Sequence, residues 1–205
     1  MFIPRHPVTE NQFCSYGAVE SVATSAGVGG VVCYAGSVLY LDSAAANQEP
    51  MVYKLSAAGY DAFGFAMQKV KMGYHQVHPT GFVMPGDLGS SDVIAQPSYD
   101  SNGAINGTKE APLGVAHLGI WDTVHYTAVM VAGVVQANIT PSTKMYPSVD
   151  EAKLTTDSVA GLTAADGDAA TTEHVATVMK GASIAKAQAN INNTTLYPIR
   201  VKLLV

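Results

Sequence analysis

The chain has 205 residues, 48% hydrophobic and only 13% charged, which is enough apolar side chain for one generous domain or two small ones and too much for a disordered segment. A formal net charge of −5 argues against general nucleic-acid binding, which needs a basic surface to displace counterions. Two cysteines, Cys14 and Cys33, are too few for a disulfide framework and lack Cys-x-x-Cys spacing, so both are expected as free thiols made in a reducing cell.

In chain order, "MFIPRHPVTENQF" holds Pro4 and Pro7 and has no apolar run of signal-peptide length. No later segment reaches the roughly 18 apolar residues of a spanning helix, so a soluble protein made in the cytoplasm is expected. Residues 1–30 read as an extended N-terminal arm: the prolines disfavour helix, "YGAVESVA" allows one or two helical turns, and Gly27, Gly29 and Gly30 form a flexible joint. From "GVVCYAGSVLYLDS" onward, short β-branched and aromatic runs are punctuated by glycine, the pattern of strands. "VYKL", "AFGFAMQKVKM", "PLGVAHLGIW", "VHYTAVMVAGVVQANI", "KMYPSV" and the closing "YPIRVKLLV" continue it, with turn clusters such as "DSNGAING" between them. Further helix is expected at 43–49, "SAAANQE", and in part of 172–192, where a strand or turn around Gly181 precedes a short helix. The fold class is therefore mainly β, a small β-barrel or β-sandwich with one or two short helices and the N-terminal arm.

A faint internal echo pairs "GSVLYLDS" (36–43) with "STKMYPSV" (142–149), placing Tyr40 opposite Tyr146. "VYKL" then answers "AKLT", and "FGFAMQKV" answers "KGASIAKA". This divides residues 31–205 into pseudo-repeats 31–72 and 113–205, with an insertion-like connector at 73–112.

Chemistry is sparse. His75, His78 and Asp87 in "GYHQVHPTGFVMPGD" offer two imidazoles and a carboxylate to a metal, the basis of a metal-dependent hydrolase reading. Yet His-x-x-His shares a side only on a helix, and Pro79, Gly81, Pro85 and Gly86 disfavour one. There is no Gly-x-Ser-x-Gly elbow and no phosphate-binding Gly-x-x-x-x-Gly-Lys loop. In "WDTVHY", strand alternation sends Asp122 and His125 to opposite faces, while His117 and His125 would share one. The two carboxylates around Gly167 fail the spacing of a calcium loop. No cofactor, no metal and no enzymatic activity are expected.

Lined up, "AGSVLYLDS", "GYDAFGFAMQKVK", "LGVAHLGIWDTVHY", "ITPSTKMYPSVDEAKLTT" and "ASIAKAQANINNTTLYPIRVKLLV" resemble the head decoration, or capsid cement, proteins of tailed bacteriophages. Residues 31–72 and 113–205 carry the likeness; the proline-containing arm and the stretch 73–112 depart from it. The resemblance implies a virion structural protein, made in the host cytoplasm, that sits on the outer surface of the capsid. There it would cement neighbouring major capsid protein subunits and stabilise the expanded head, as a homo-trimer without nucleic-acid or membrane partners. It further implies that the arm docks on the shell, through Phe2, Ile3, Pro4, Arg5, Pro7, Phe13 and Tyr16. A tail-tube or baseplate component is the alternative structural reading.

Overall fold

The computed structural model describes residues 2–5, 11–42, 51–55, 60–74, 92–127, 130–131, 134–135, 138–148, 152–155, 173–186 and 197–205. The first half contains β1 (Phe2–Pro4), β2 (Asn11–Gly17), the helix α1 (Glu20–Ala26), β3 (Val31–Cys33), β4 (Val38–Leu41), β5 (Met51–Lys54) and β6 (Gly64–Ala66). It continues with β7 (Val70–Met72), β8 (Val93–Ala95), β9 (Pro97–Tyr99), β10 (Ile105–Thr108) and β11 (Ala111–Ala116). The second half contains β12 (Leu118–Thr123), β13 (Tyr126–Thr127), β14 (Met130–Val131), β15 (Val134–Val135), β16 (Lys144–Pro147), β17 (Leu154–Thr155), β18 (Ala176–Lys180) and β19 (Ile199–Leu204). The protein is mainly β, as the glycine-punctuated apolar runs require.

The first half closes into a five-stranded barrel, β11-β2-β5-β4-β6, in which β6 ladders back onto β11. Six strands of the second half, with β1 added at the β12 edge, build a seven-stranded sheet ordered β1-β12-β19-β18-β16-β17-β13. Only two residues, Val124 and His125, separate β12 from β13. That linker spans no more than about 11 Å, so the ladder running from β12 round to β13 curls into a half-barrel, the second barrel of the pair.

The two circuits match strand for strand. Tracing β2, β11, β6, β4, β5 and back to β2 gives four antiparallel pairings and one parallel one, β2 with β5. Tracing β12, β19, β18, β16, β17 and β13 gives the same sequence of pairings, again with the parallel one last. Registers agree as well: Val115 opposes Ala66 as Val201 opposes Val178, and Tyr16 opposes Val52 as Tyr126 opposes Leu154. The chain is thus two copies of one β circuit, residues 11–116 and 118–204, meeting at His117.

Each circuit opens its β4-type strand with the same turn. The Ser37 amide donates to the Tyr34 carbonyl at 3.0 Å and the Tyr34 amide to Ser37 Oγ at 3.3 Å, with Gly36 at φ +93°. The Thr143 amide donates to the Thr140 carbonyl at 3.1 Å and the Thr140 amide to Thr143 Oγ1 at 3.2 Å, with Ser142 at φ +70°. A positive φ at the third turn residue is the mark of a type II turn. The echo between "GSVLYLDS" and "STKMYPSV" falls on these turns and the strands after them.

Other parts of the expected organisation change. Ladder register sets Val52 against Leu154, two residues from the pairing of "VYKL" with "AKLT", and Gly64–Ala66 against Ala176–Val178 rather than "KGASIAKA". The described residues of 1–30 are not an outlying arm: β1 is laddered onto β12, and β2 is a barrel stave held by β11 and β5. Nor is 73–112 wholly a connector, because Ala111 and Pro112 begin β11, which closes the first barrel. Prolines at 4 and 7 exclude helix but leave extended backbone free to join a sheet edge.

Alternation along the strands feeds two cores. In β4, Leu39 points into the first barrel with Tyr16, Val52, Ala66, Leu113 and Val115. Its neighbours Val38 and Tyr40 point the other way, joining Phe65, Phe2, Trp121, Met145, Leu154, Val178 and Val201 in the second cluster. β19, read from the sequence as a final strand, is central, between β12 and β18, with Ile199, Val201 and Leu203 fully buried. In 172–192 the strand β18 ends at Lys180, just before Gly181, and a helical turn follows at 184–186. A Cβ on Gly181 would collide with the Ile139 carbonyl across the bridge that pairs Ile139 with Ala182. The expected helix at 43–49 lies outside the described residues.

The helix α1 makes two turns, within the one or two allowed for "YGAVESVA", of which it takes the last four residues before running on to Ala26; Glu20 in its first turn is favourably placed against the helix dipole. It ends where Gly27, at φ +66°, lets its amide reach the Ala23 carbonyl at 3.0 Å.

Candidate functional site

Polar side chains meet at the seam between the barrels and on the outer face of the second, and Asp92 pairs with Lys69 and Lys71 beside the β7–β8 ladder. At the seam the Tyr34–Ser37 turn of the first barrel meets the β12–β13 corner of the second. Ser37 Oγ lies 3.1 Å from His125 Nε2, both side chains buried, and the His125 amide donates to Thr123 Oγ1 at 3.0 Å. The Val38 amide donates to the Ala152 carbonyl, tying the barrels at 2.8 Å. Phe2 fills the remaining gap, its ring stacked on Trp121 at 4.4 Å and facing Phe65 at 6.0 Å.

A serine within reach of a histidine is the core of a nucleophilic site. Here Ser37 is fully buried beneath the second barrel, so no substrate carbonyl can approach its Oγ. Asp122, the neighbouring carboxylate in sequence, faces away, as alternation requires. Its Oδ2 accepts from Arg5 Nε at 2.7 Å, and its Oδ1 from Arg200 Nε at 2.8 Å. Burial by itself would raise the Asp122 carboxyl, but the hydrogen bonds from Arg200 and Arg5 outweigh it and hold the group below its ordinary value. The Ser37–His125 contact is a packing bond between barrels, and Asp122 a clamp for β1.

The other candidates among the described residues are buried as well. His117 is buried at the junction of the two circuits, edge-on to Phe63 at 4.8 Å, with no hydrogen-bond partner for its Nε2 among the described residues. It makes none of the contacts that hold His125. Cys14 and Cys33 are buried free thiols, and burial pushes Cys33 up to about 12, far from a reactive thiolate. Among the described residues no group of three or more His, Cys, Asp or Glu is placed to hold a metal ion. His75, His78 and Asp87 lie outside the described residues, as do the carboxylates flanking Gly167.

Of the proposed shell contacts, Phe2 and Tyr16 are core residues. Phe2 is 1% exposed, and Tyr16, fully buried, donates from its hydroxyl to the Val32 carbonyl at 3.1 Å. Burial raises the Tyr16 hydroxyl well above its ordinary value, with the neighbouring Cys33 adding to the effect. These two cannot dock a partner while the barrels are folded, because the Phe2 ring fills the seam and the Tyr16 ring fills the interior of the first barrel. Arg5 is exposed but engaged with Asp122, and Pro4 is half-buried. The backbone of Ile3 pairs with Asp122 and that of Phe13 with Gly114; Pro7 lies outside the described residues.

The structure also assembles an aromatic group that linear spacing hides. Tyr40 stacks on Tyr60 at 4.2 Å and on Tyr53 at 5.7 Å, with Tyr60 exposed. Burial raises the Tyr40 hydroxyl, and the nearby Tyr60 and Asp42 raise it further. Cross-strand register brings Tyr40 and Tyr53 face to face, information that neither residue's sequence neighbours contain.

No family model matches the chain, and comparison with curated proteins finds no match. Among the described residues no helix is long and apolar enough to cross a membrane.

Proposed function

We propose that this protein is a virion structural component that binds the outer surface of a tailed-phage capsid and cements neighbouring major capsid protein subunits. The observation that carries the reading is the fusion of two β circuits into one body across a seam filled by Phe2, Trp121 and Phe65. Among the described residues Ser37 and His125 are spent on packing inside that body, and on this reading the protein's work lies at its surfaces. A body that spans two shell subunits adds contact area that must be lost before the shell opens. A stable contact buries on the order of 1,200–2,000 Å², and repetition over a lattice multiplies modest affinities. If the fit is to the expanded geometry alone, binding shifts the shell toward it by the differential affinity.

The test is co-sedimentation of the purified protein with expanded shells of the parent phage, together with light scattering of the protein alone. Saturable binding to expanded shells, absent on unexpanded ones, and a trimer in solution are expected. No binding to either shell form, or hexameric rings in solution, would overturn the reading, the latter in favour of a tail-tube component.

A further inference from the structure

We propose that the outer face of the second barrel's sheet is a docking surface for an acidic face of another protein. Along β19, Arg200, Lys202 and Leu204 alternate outward while Ile199, Val201 and Leu203 are buried. Register places Lys202 between Ile120 of β12 and Thr177 of β18, with Lys144 of β16 beyond Thr177. It places Arg200 between Asp122 and Lys180, and Arg5 reaches Asp122 from the edge of the sheet. Strands lie about 4.8 Å apart, so these five cations share a patch about 20 Å wide.

The chain as a whole has 11 Lys and Arg against 16 Asp and Glu, so this gathering on one sheet face runs against the protein's own charge. Among the described residues at these register positions the carboxylate is Asp122. Like charges on neighbouring strands repel, a cost in the isolated barrel that a partner's carboxylates would relieve. Lys144, Lys180 and Lys202 are exposed, and exposed Leu118, Leu204 and Met179 border them. Arginine and lysine with apolar neighbours suit a protein interface. The face's aromatic side chain, Tyr146, is half-buried rather than a stacking platform, and the exposed apolar side chains Leu118, Met179 and Leu204 would find no counterpart on a phosphate backbone. An acidic protein surface is therefore the better match. Under the cement reading, on which the partner's identity rests, that surface belongs to the shell.

The experiment compares the full-length protein with the K144E/K202E double variant on immobilised poly-L-glutamate, on duplex DNA and on expanded shells. Wild type should bind poly-L-glutamate at low salt and release as the screening length falls to about 8 Å at physiological ionic strength. The variant should lose at least about tenfold in that affinity with an unchanged melting curve. Equal binding by variant and wild type would overturn the proposal, and tighter wild-type binding to duplex DNA would overturn it in favour of nucleic acid. If both proteins bind shells equally, the cement reading stands and this face is not the dock. Should wild type ignore shells while the variant alone loses poly-L-glutamate, the acidic-partner inference stands and the cement reading fails.

Discussion

The turns Tyr34–Ser37 and Thr140–Thr143 share their hydrogen bonds and differ in everything around them. The first is roofed by the second barrel: Ser37 and Val38 are fully buried, and a Cβ on Gly36 would sit 3.0 Å from Thr123 Oγ1 and 3.2 Å from Phe2. The second stands in solvent, with Thr140, Pro141, Ser142 and Lys144 exposed. The barrels therefore pack head to tail, using the turn of one copy and the corner of the other. Repeated between chains, such a contact would generate a ring or filament. Polar residues on the second turn end the stack, as a capping repeat does. Backbone geometry defined the turn twice; the neighbour decided which residues fill it.

The largest expected effect on this comparison comes from emptying the seam. Phe2→Ala should destabilise the protein by about 3 kcal/mol, because it removes a fully packed ring between two barrels; a denaturant midpoint within error of wild type would show the seam to be slack. Next, Gly36→Ala should cost about 2 kcal/mol, from a positive φ and a crowded Cβ acting together. A loss confined to unfolding of one barrel, seen as a second transition, would mean the turn stabilises its own circuit rather than the joint.

Asp122→Asn should cost about 1–2 kcal/mol, less than a fully buried pair because both guanidinium groups are a third or more exposed. The pH dependence has a definite sign. The folded carboxyl lies below its ordinary value, so its stabilisation is complete above the ordinary Asp range, near 3.9, and is lost as pH falls through the folded value. Urea titrations should show part of the wild-type decline between about pH 5 and pH 2 missing in the variant. The remainder includes Asp92, where burial opposes but hydrogen bonds from Lys71 and Lys69 prevail, again lowering the group. The smallest effect is a gain: Ser142→Gly relieves a positive φ in an open turn and should raise stability by up to about 1 kcal/mol. A measured loss would mean the Ser142 side chain makes a contact that outweighs the relief.

Some of the site was legible before folding. Opposite faces for Asp122 and His125 follow from alternation alone, and the Tyr40–Tyr146 echo lands on equivalent strands. Phe2 and Tyr16 were misread because a proline-containing start looks the same whether it floats or docks. The basic face escaped notice because Arg5, Lys144, Lys180, Arg200 and Lys202 are scattered through the chain and meet only across strands.

Local patterning determined the β class, the positions of many strand runs and the burial of the closing "IRVKLLV", because period-two alternation and glycine punctuation act over a few residues. Tertiary structure alone decided where the two circuits begin and end, that Val38 and Leu39 serve different cores, and that five distant cations share one face. Each of those outcomes rests on pairings between residues tens to hundreds of positions apart, chosen by closing ladders and excluding water, and no short window of sequence contains that choice.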